Sequence, residues 1–329
     1  MKDLLPKLKY FISAYNNSSY KYLVVLSIIY CFNGKKRYSF EELLRFIIPF
    51  YFNMAVRFKI VERAGGKIPK VVQNIINYSK KHKIEDYLYE GDFDFLCKQN
   101  LRAFFSCPLV CFEQYGKVSK IKGENTFFKY SLKEKYIELT PQFYTLLNDR
   151  NIREIAKDIV LLALVKFLEK YNTAPNIYHK ISGEEPKRDL SRFKRVFMDK
   201  NSPLAVEFCC ICTQPLKNDF SLDHFIPFNY LHSDDIWNLI PAHQRCNSFK
   251  NKKIGSDEVL DLLIERNRKL YEIPQNSPYF DFLQKELFCI YPTFESLYKN
   301  MMEIYASCKS MGYQEMDYSK YREWPGVNN

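Results

Sequence analysis

Glycine is scarce in this chain, with 10 residues among 329, and tryptophan is scarcer, with 2. That excludes collagen-like and glycine-rich low-complexity architectures. No GxxxxGK[ST], GxGxxG or HExxH pattern occurs, so a P-loop, a dinucleotide fingerprint and a zincin helix have no support. Long apolar runs are missing as well. Leu23 to Phe32 supplies about ten residues against the roughly 20 that a bilayer-crossing helix needs, and Ile159 to Leu168 is interrupted by Lys166. Asp3 and Lys7 break any apolar leader core. The expectation is a soluble cytoplasmic protein with no membrane partner. In a reducing compartment its 10 cysteines do not read as a disulfide framework, and their spacing is tested for metal binding instead.

What is present is a globular composition, 47% hydrophobic and 26% charged, in a chain long enough for two domains. Tyr and Phe number 25 and 27, enough for a heavily aromatic core. Lys and Arg total 49 against 38 Asp and Glu, a net charge of +11. Such a balance suits a polyanion partner or a basic solvated surface.

Along the chain, residues 20–32 read as a buried helix or strand, with length favouring the helix, followed by a turn at Asn33-Gly34. Ser39 and Glu42 form a capping box before an apolar-periodic run to about Phe52. Gly65-Gly66 breaks the chain, and a helix over 70–82 follows Pro69 and ends in Lys80, Lys81, His82 and Lys83. Phe127–Tyr130 and Tyr136–Leu139 read as a hairpin. Helices followed by a basic hairpin resemble a winged-helix arrangement, or a small α+β domain with a solvated hairpin. From Ile152 the spacing predicts a helix with one apolar face at 152, 155, 159, 162, 165 and 168. In the basic segment that follows (Lys187, Arg188, Arg192, Lys194, Arg195), residues 188, 192 and 195 fall on one helical face that could track phosphates. Cys31, Cys97, Cys107, Cys111, Cys289 and Cys308 read as plain apolar residues, and the chain after Gly255 as several helices without chemistry.

Chemistry concentrates in residues 208–253. Cys209-x-x-Cys212 is followed some thirty residues on by His243-x-x-Cys246, two short-spaced pairs of the kind a tetrahedral structural zinc requires. Cys210 lies inside this stretch with the wrong spacing. Within the insertion, Asp223-His224 ends an alternating strand over 220–225 and Pro227 stops it. Trp237-Asn238-Leu239-Ile240 reads as a second strand, and a helix over 247–254 would put Asn247 and Asn251 on one face. Asp and Asn oxygens suit Mg²⁺ or Mn²⁺, and a histidine beside such an ion can take a proton from water. Lys250, Lys252 and Lys253 would set positive charge where a phosphodiester lies. His232 reads as a loop residue.

Taken together, the CxxC pair, Asp223-His224-Phe225-Ile226-Pro227, Asn238-Leu239 and the stretch from His243 to Lys250 resemble the HNH, or ββα-metal, nuclease family over about 45 residues. The resemblance implies that His224 is the general base, that Asp223 and Asn247 hold a catalytic divalent ion, that Asn238 positions the base, and that Asn251 stands at the place of a third ligand. His243 replaces the usual third cysteine, and Asn rather than His at both helical ligand positions favours Mg²⁺ or Mn²⁺. More loosely, residues from about 152 to 253 resemble bacterial HNH proteins of restriction and phage-defence systems. The expected fold is therefore α+β and mostly helical, with a zinc-stapled ββα unit embedded among helices. Residues 1–145 would form an N-terminal α+β domain for DNA recognition or regulation, and residues 146–329 the nuclease domain with its core motif at 208–253. The expected function is a metal-dependent endonuclease acting on double-stranded DNA, with a protein partner or homodimer left open. The alternatives are a zinc-stapled nucleic-acid-binding module without catalysis and an RNA-cleaving nuclease.

Overall fold

A computed structural model describes residues 4–13, 18–62, 68–105, 109, 127–182, 188–216 and 220–317. The features expected at Gly65-Gly66, Cys107, Cys111 and Lys187 lie outside them. The fold is α+β and mostly helical. It divides into two compact units, residues 1–173 with 177–184, and 174–176 with 185–329. The long helix over 150–169 thus belongs to the first unit, whereas the expected boundary at 145/146 assigned it to the second. Among the described residues no helix is long and apolar enough to cross a membrane.

The first unit contains α1 (Leu4–Ser13), α2 (Tyr20–Cys31), β1 (Arg37–Ser39), α3 (Phe40–Phe52), α4 (Lys70–His82), α5 (Glu90–Phe105), β2 (Phe128–Ser131), β3 (Tyr136–Leu139), α6 (Pro141–Asn148), α7 (Arg150–Glu169) and α8 (Ile177–Ser182). Helix α2 is apolar on every side and accordingly central, with Tyr22 to Ile29 all buried between α3 and α7. The capping box holds: Ser39 Oγ accepts from the Glu42 amide at 3.1 Å, and Glu42 Oε2 accepts from the Ser39 amide at 2.8 Å. The expected hairpin is β2–β3, and β1 adds to its free side, giving an antiparallel sheet in the order β1-β3-β2. The register sets Tyr38 opposite Ile137, and both are buried. In α7 the buried stripe is not the expected one. Ala156, Val160, Leu161, Leu164, Val165, Phe167 and Leu168 face the core, whereas Ile155 and Leu162 are about half exposed. The apolar surface of α7 is wider than a single stripe, and packing against α2 selects the side that carries Ala156 and Leu164.

The second unit contains α9 (Ser191–Met198), β4 (Ser221–His224), α10 (Phe228–Leu231), β5 (Leu239–Ala242), α11 (Gln244–Lys250), α12 (Asp257–Leu270), α13 (Phe280–Leu283) and α14 (Phe294–Ser310). Strands β4 and β5 pair antiparallel, with Asp223 opposite Ile240 and His224 opposite Leu239. Trp237 and Asn238, expected in the second strand, instead form a 3₁₀ turn before it. The third element is a helix as expected, but it runs over 244–250 rather than 247–254, with His243 as its N-cap. Cys308 is buried in α14 as expected, while Cys289 is exposed.

Gly255 closes this unit at a tight point. Its amide donates to the Phe225 carbonyl at 3.0 Å, and a Cβ built on it would meet the Phe225 ring at 2.4 Å. Phe225 is buried, so the ring has no solvent-facing route of retreat. Gly255→Ala should therefore lower stability by about 1–3 kcal/mol, the usual cost of overpacking a filled core. Denaturant titration of the variant against the parent checks this; an unchanged midpoint would show that the ring yields freely.

Candidate metal centre and active site

The two short-spaced pairs converge. One ligand atom from each of Cys209, Cys212, His243 and Cys246 lies within 4.8 Å of the others, a cluster that could hold a metal ion such as zinc. Local structure sets each pair. Residues 209–213 form a tight turn in which the Thr213 amide donates to the Cys209 carbonyl at 2.8 Å, with Thr213 at a φ of 58°. His243 and Cys246 flank the first turn of α11. The Cys210 amide donates to the Pro241 carbonyl at 3.0 Å, tying the cysteine turn to β5. His243 Nε2 lies 3.1 Å from the Pro215 carbonyl, which can only accept. The proton therefore sits on Nε2, and the Nδ1 lone pair faces Cys212 Sγ at 3.3 Å and Cys246 Sγ at 3.7 Å. The Cys209 thiol is pulled down to about 4, first by its hydrogen bond with Cys246, against burial and with help from backbone amides. Cys210, one residue on, is pushed up to about 11 by burial. Within the cluster the surroundings thus favour a thiolate at Cys209, and a neutral thiol at Cys210 beside it.

A second cluster gathers at the end of β4. Asp223, His224, Asn247, Asn251, Lys252 and Arg188 line one cavity of about 260 Å³. The structure thus brings together four residues expected to act as one site. Asp223 Oδ1 accepts from the His224 amide at 2.7 Å. Its Oδ2 lies 3.2 Å from Lys250 Nζ yet completes no hydrogen bond. Asn247 sits in α11, but Asn251 lies beyond its end at a φ of 50°, so the two are not successive turns of one helix as expected. They remain joined through the Asn251 amide, which donates to the Asn247 carbonyl at 2.8 Å.

Asn238 is fully buried and clamps the chain that follows the Asp223-His224 pair. Its Oδ1 accepts from the Ile226 amide and its Nδ2 donates to the Ile226 carbonyl, both at 2.8 Å, while its own carbonyl accepts from Phe225. Arg266 and Asn267 of α12 brace this turn through the carbonyls of Ile236 and Trp237.

The basic residues divide. Lys250, expected to contact phosphate, is completely buried: Nζ donates to the His224 carbonyl at 2.5 Å and pairs with Asp223. Burial pushes its ammonium below the ordinary lysine range, against the charge of Asp223. It cannot serve as a surface phosphate contact. Lys252 lines the cavity, and Lys253 lies over the Phe249 ring at 5.1 Å. Arg188, Arg192 and Arg195 do not share one helix face, because α9 begins at Ser191, after Arg188. Arg192 pairs with Glu286 at 3.0 Å, and Arg195 is exposed.

One residue escaped the sequence reading. Asp234 Oδ1 lies 2.9 Å from His224 Nε2 and 3.7 Å from Arg188 Nε. The only sequence signal was an acidic pair, Asp234-Asp235, in the loop between the histidine and Asn238. Comparison of the chain with family models, with curated proteins and with solved structures finds no match.

The four-ligand cluster makes a direct prediction. Purified protein should carry about one tightly held zinc per chain, and Cys246→Ser should lose both the ion and the native fold of the second unit, because binding energy at such a site is folding energy. Elemental analysis with limited proteolysis reads both. Folded, zinc-free parent protein would count against a metal role for the cluster.

Proposed function

We propose that the chain is a metal-dependent nuclease of the HNH type that hydrolyses DNA phosphodiester bonds, serving in restriction or defence against phage. The observation that carries this reading is the meeting of Asp223, His224, Asn247 and Asn251 around one cavity, with Arg188 and Lys252 among its lining. An acid, a base and two carboxamides that face a common space, with cations beside them, are the parts a phosphodiester hydrolase needs.

The roles follow from the chemistry of each group. Asp223, Asn247 and Asn251 offer the oxygen donors that Mg²⁺ or Mn²⁺ prefers, with Asp223 Oδ2 also paired to Lys250 at 3.2 Å. Such an ion, when bound, supplies positive charge to the phosphoryl group and to the leaving 3′ oxygen. His224 takes the proton of the attacking water. Asn238 holds the backbone at Phe225 and Ile226, and so the placement of His224. Zinc in the cysteine-histidine knot would be structural, since four protein ligands leave no open position. Lys252, in the lining of the cavity, is the nearest contact for a phosphate backbone.

A second reading has its own support. The Lys250 ammonium already neutralises Asp223, which suits a zinc-stapled nucleic-acid-binding module without catalysis. Incubation of purified protein with plasmid and with RNA, with and without Mg²⁺ or Mn²⁺, separates the two. The nuclease reading expects metal-dependent cleavage that His224→Ala lowers by about 10²–10⁴-fold without loss of fold. Binding with no cleavage under any of these conditions supports the module instead, and cleavage of RNA alone would change the substrate.

Lys129, Lys133 and Lys135 on the β2–β3 hairpin are exposed. In a winged-helix arrangement such a hairpin lies against the phosphate backbone. Replacing all three by Gln should weaken DNA binding and reduce its salt dependence by about one unit of slope for each lysine that meets a phosphate. Affinity measured over a range of salt tests this; an unchanged slope would mean the first unit serves another partner.

A further inference from the structure

The loop that follows β4 is built to aim one carboxylate. His232 ends α10 at a φ of 59°, with its amide on the Phe228 carbonyl at 2.7 Å, and turns the chain back. Ser233 Oγ donates to Asp235 Oδ2 at 2.6 Å, and the Asn238 amide donates to the Asp235 carbonyl at 2.9 Å. Asp234, held between them, reaches His224 Nε2 at 2.9 Å. Both side chains are largely out of water, with His224 4% and Asp234 14% exposed. Phe228 meets the imidazole edge-on at a ring separation of 5.5 Å. The Arg188 guanidinium lies over the same Phe228 ring at 4.2 Å and comes within 3.7 Å of Asp234 Oδ1.

We infer that Asp234 is the positioning residue of the hydrolytic site: its carboxylate accepts the Nε2 proton of His224 and thereby fixes the tautomer whose free lone pair is on Nδ1. The role in hydrolysis rests on the nuclease reading above; the hydrogen bond and the tautomer do not. In the proposed step the Nδ1 lone pair takes a proton from water as the water oxygen bonds to phosphorus. The phosphorus–oxygen bond to the 3′ leaving group breaks, and that oxygen is protonated by solvent. The imidazolium so formed keeps its Nε2 proton and donates it in a hydrogen bond to Asp234, whose negative charge stabilises it. Asp234 can do this only as a carboxylate. Burial pushes its carboxyl up, but His224 and Arg188 outweigh burial and hold it below the ordinary aspartate range. Arg188 thus acquires a role apart from any phosphate contact, steadying the acid that steadies the base.

An anchor for the loop alone would also place Asp234 near His224, and the test must separate the two. Full-length protein labelled with ¹⁵N-histidine reports the His224 tautomer directly, assigned by comparison with His224→Ala. Cleavage of plasmid in Mg²⁺ or Mn²⁺ reports function for the parent, Asp234→Asn, Asp234→Glu and Ser233→Ala. Asparagine keeps the size but can donate as well as accept, so the tautomer is no longer enforced. The expected result is an Nε2-protonated His224 in the parent and loss of that preference in Asp234→Asn. The rate constant kcat should fall by about 10²–10⁴-fold, with KM for DNA changed by less than about threefold. Asp234→Glu should recover part of the rate, and Ser233→Ala, which slackens the loop but keeps the carboxylate, should slow cleavage less than Asp234→Asn and retain the Nε2-protonated tautomer. An Nδ1-protonated His224 in the parent, or an active parent whose Asp234→Asn variant is equally fast, overturns the assignment to Asp234 and leaves the nuclease reading standing. A parent that binds but cleaves nothing overturns the nuclease reading itself, and with it the catalytic role of Asp234.

Discussion

A lysine ammonium shut away from water organises the second unit. Lys250 Nζ sits between the His224 carbonyl and the Asp223 carboxylate, with no exposure of its side chain. Taking a charge out of water is costly, and only a partner of opposite charge and well-placed acceptors offset it. The sequence supplies both from a strand 26 residues away, so α11 can dock on β4 in one position only. That position decides the rest. It brings Asn247 to the cavity that Asp223 and His224 line, and it carries Cys246 and His243 to the two cysteines of the preceding turn. Removing one member of such a pair generally costs about 3–5 kcal/mol, because the other stays buried and uncompensated. The pair therefore specifies a geometry more than it adds net stability.

What could be read from the sequence was local. The CxxC and HxxC spacings announced a four-ligand cluster because each pair belongs to one turn of chain, and turns are short-range objects. The Ser39–Glu42 capping box, the β2–β3 hairpin and the bounds of α2 and α4 were legible for the same reason. What was missed depends on partners far apart in the chain. Asn238 reads as a strand residue until its carboxamide is seen to pair with the Ile226 backbone. Lys250 reads as a phosphate contact, and nothing near Asp234 in the sequence marks it, since charge normally means surface; only the folded arrangement supplies their partners. Strand β1 is three residues long and exists because β3, about a hundred residues later, offers it an edge. The register error in α11 has another cause. His243 is a poor N-cap signal, and the asparagine at 251, expected inside a helix, in fact ends it.

The cysteines show how little a residue type says without its surroundings. Cys97 and Cys210 are both pushed up to about 11 by burial, which makes them small apolar residues with inert thiols. Cys209, buried as well, moves the opposite way, because another sulfur and several amides share its electron density. Spacing alone separates these classes, since Cys210 falls between two ligands and cannot belong to either pair. The physical distinction is the number of hydrogen-bond donors aimed at the sulfur, a property of the turn and not of the residue.

The same argument bears on the net charge of +11. Counted along the sequence, Arg188, Arg192, Arg195, Lys250, Lys252 and Lys253 look like six equivalent contacts for a polyanion. In the folded chain Lys250 is fully buried, Arg188 and Arg192 are engaged by acids, and Arg188, Arg192 and Lys253 each lie over an aromatic ring. A cation already neutralised by Asp234 or Glu286 gains little from a phosphate, because it must give up one negative partner to take another, and counterion release falls accordingly. Around the cavity, then, positive charge is used mainly to hold acids in place: Lys250 on Asp223, Arg188 on Asp234, Arg192 on Glu286. The electrostatic footprint for a nucleic acid must be drawn from the remaining exposed lysines and arginines. The cations beside the site instead hold its carboxylates in place.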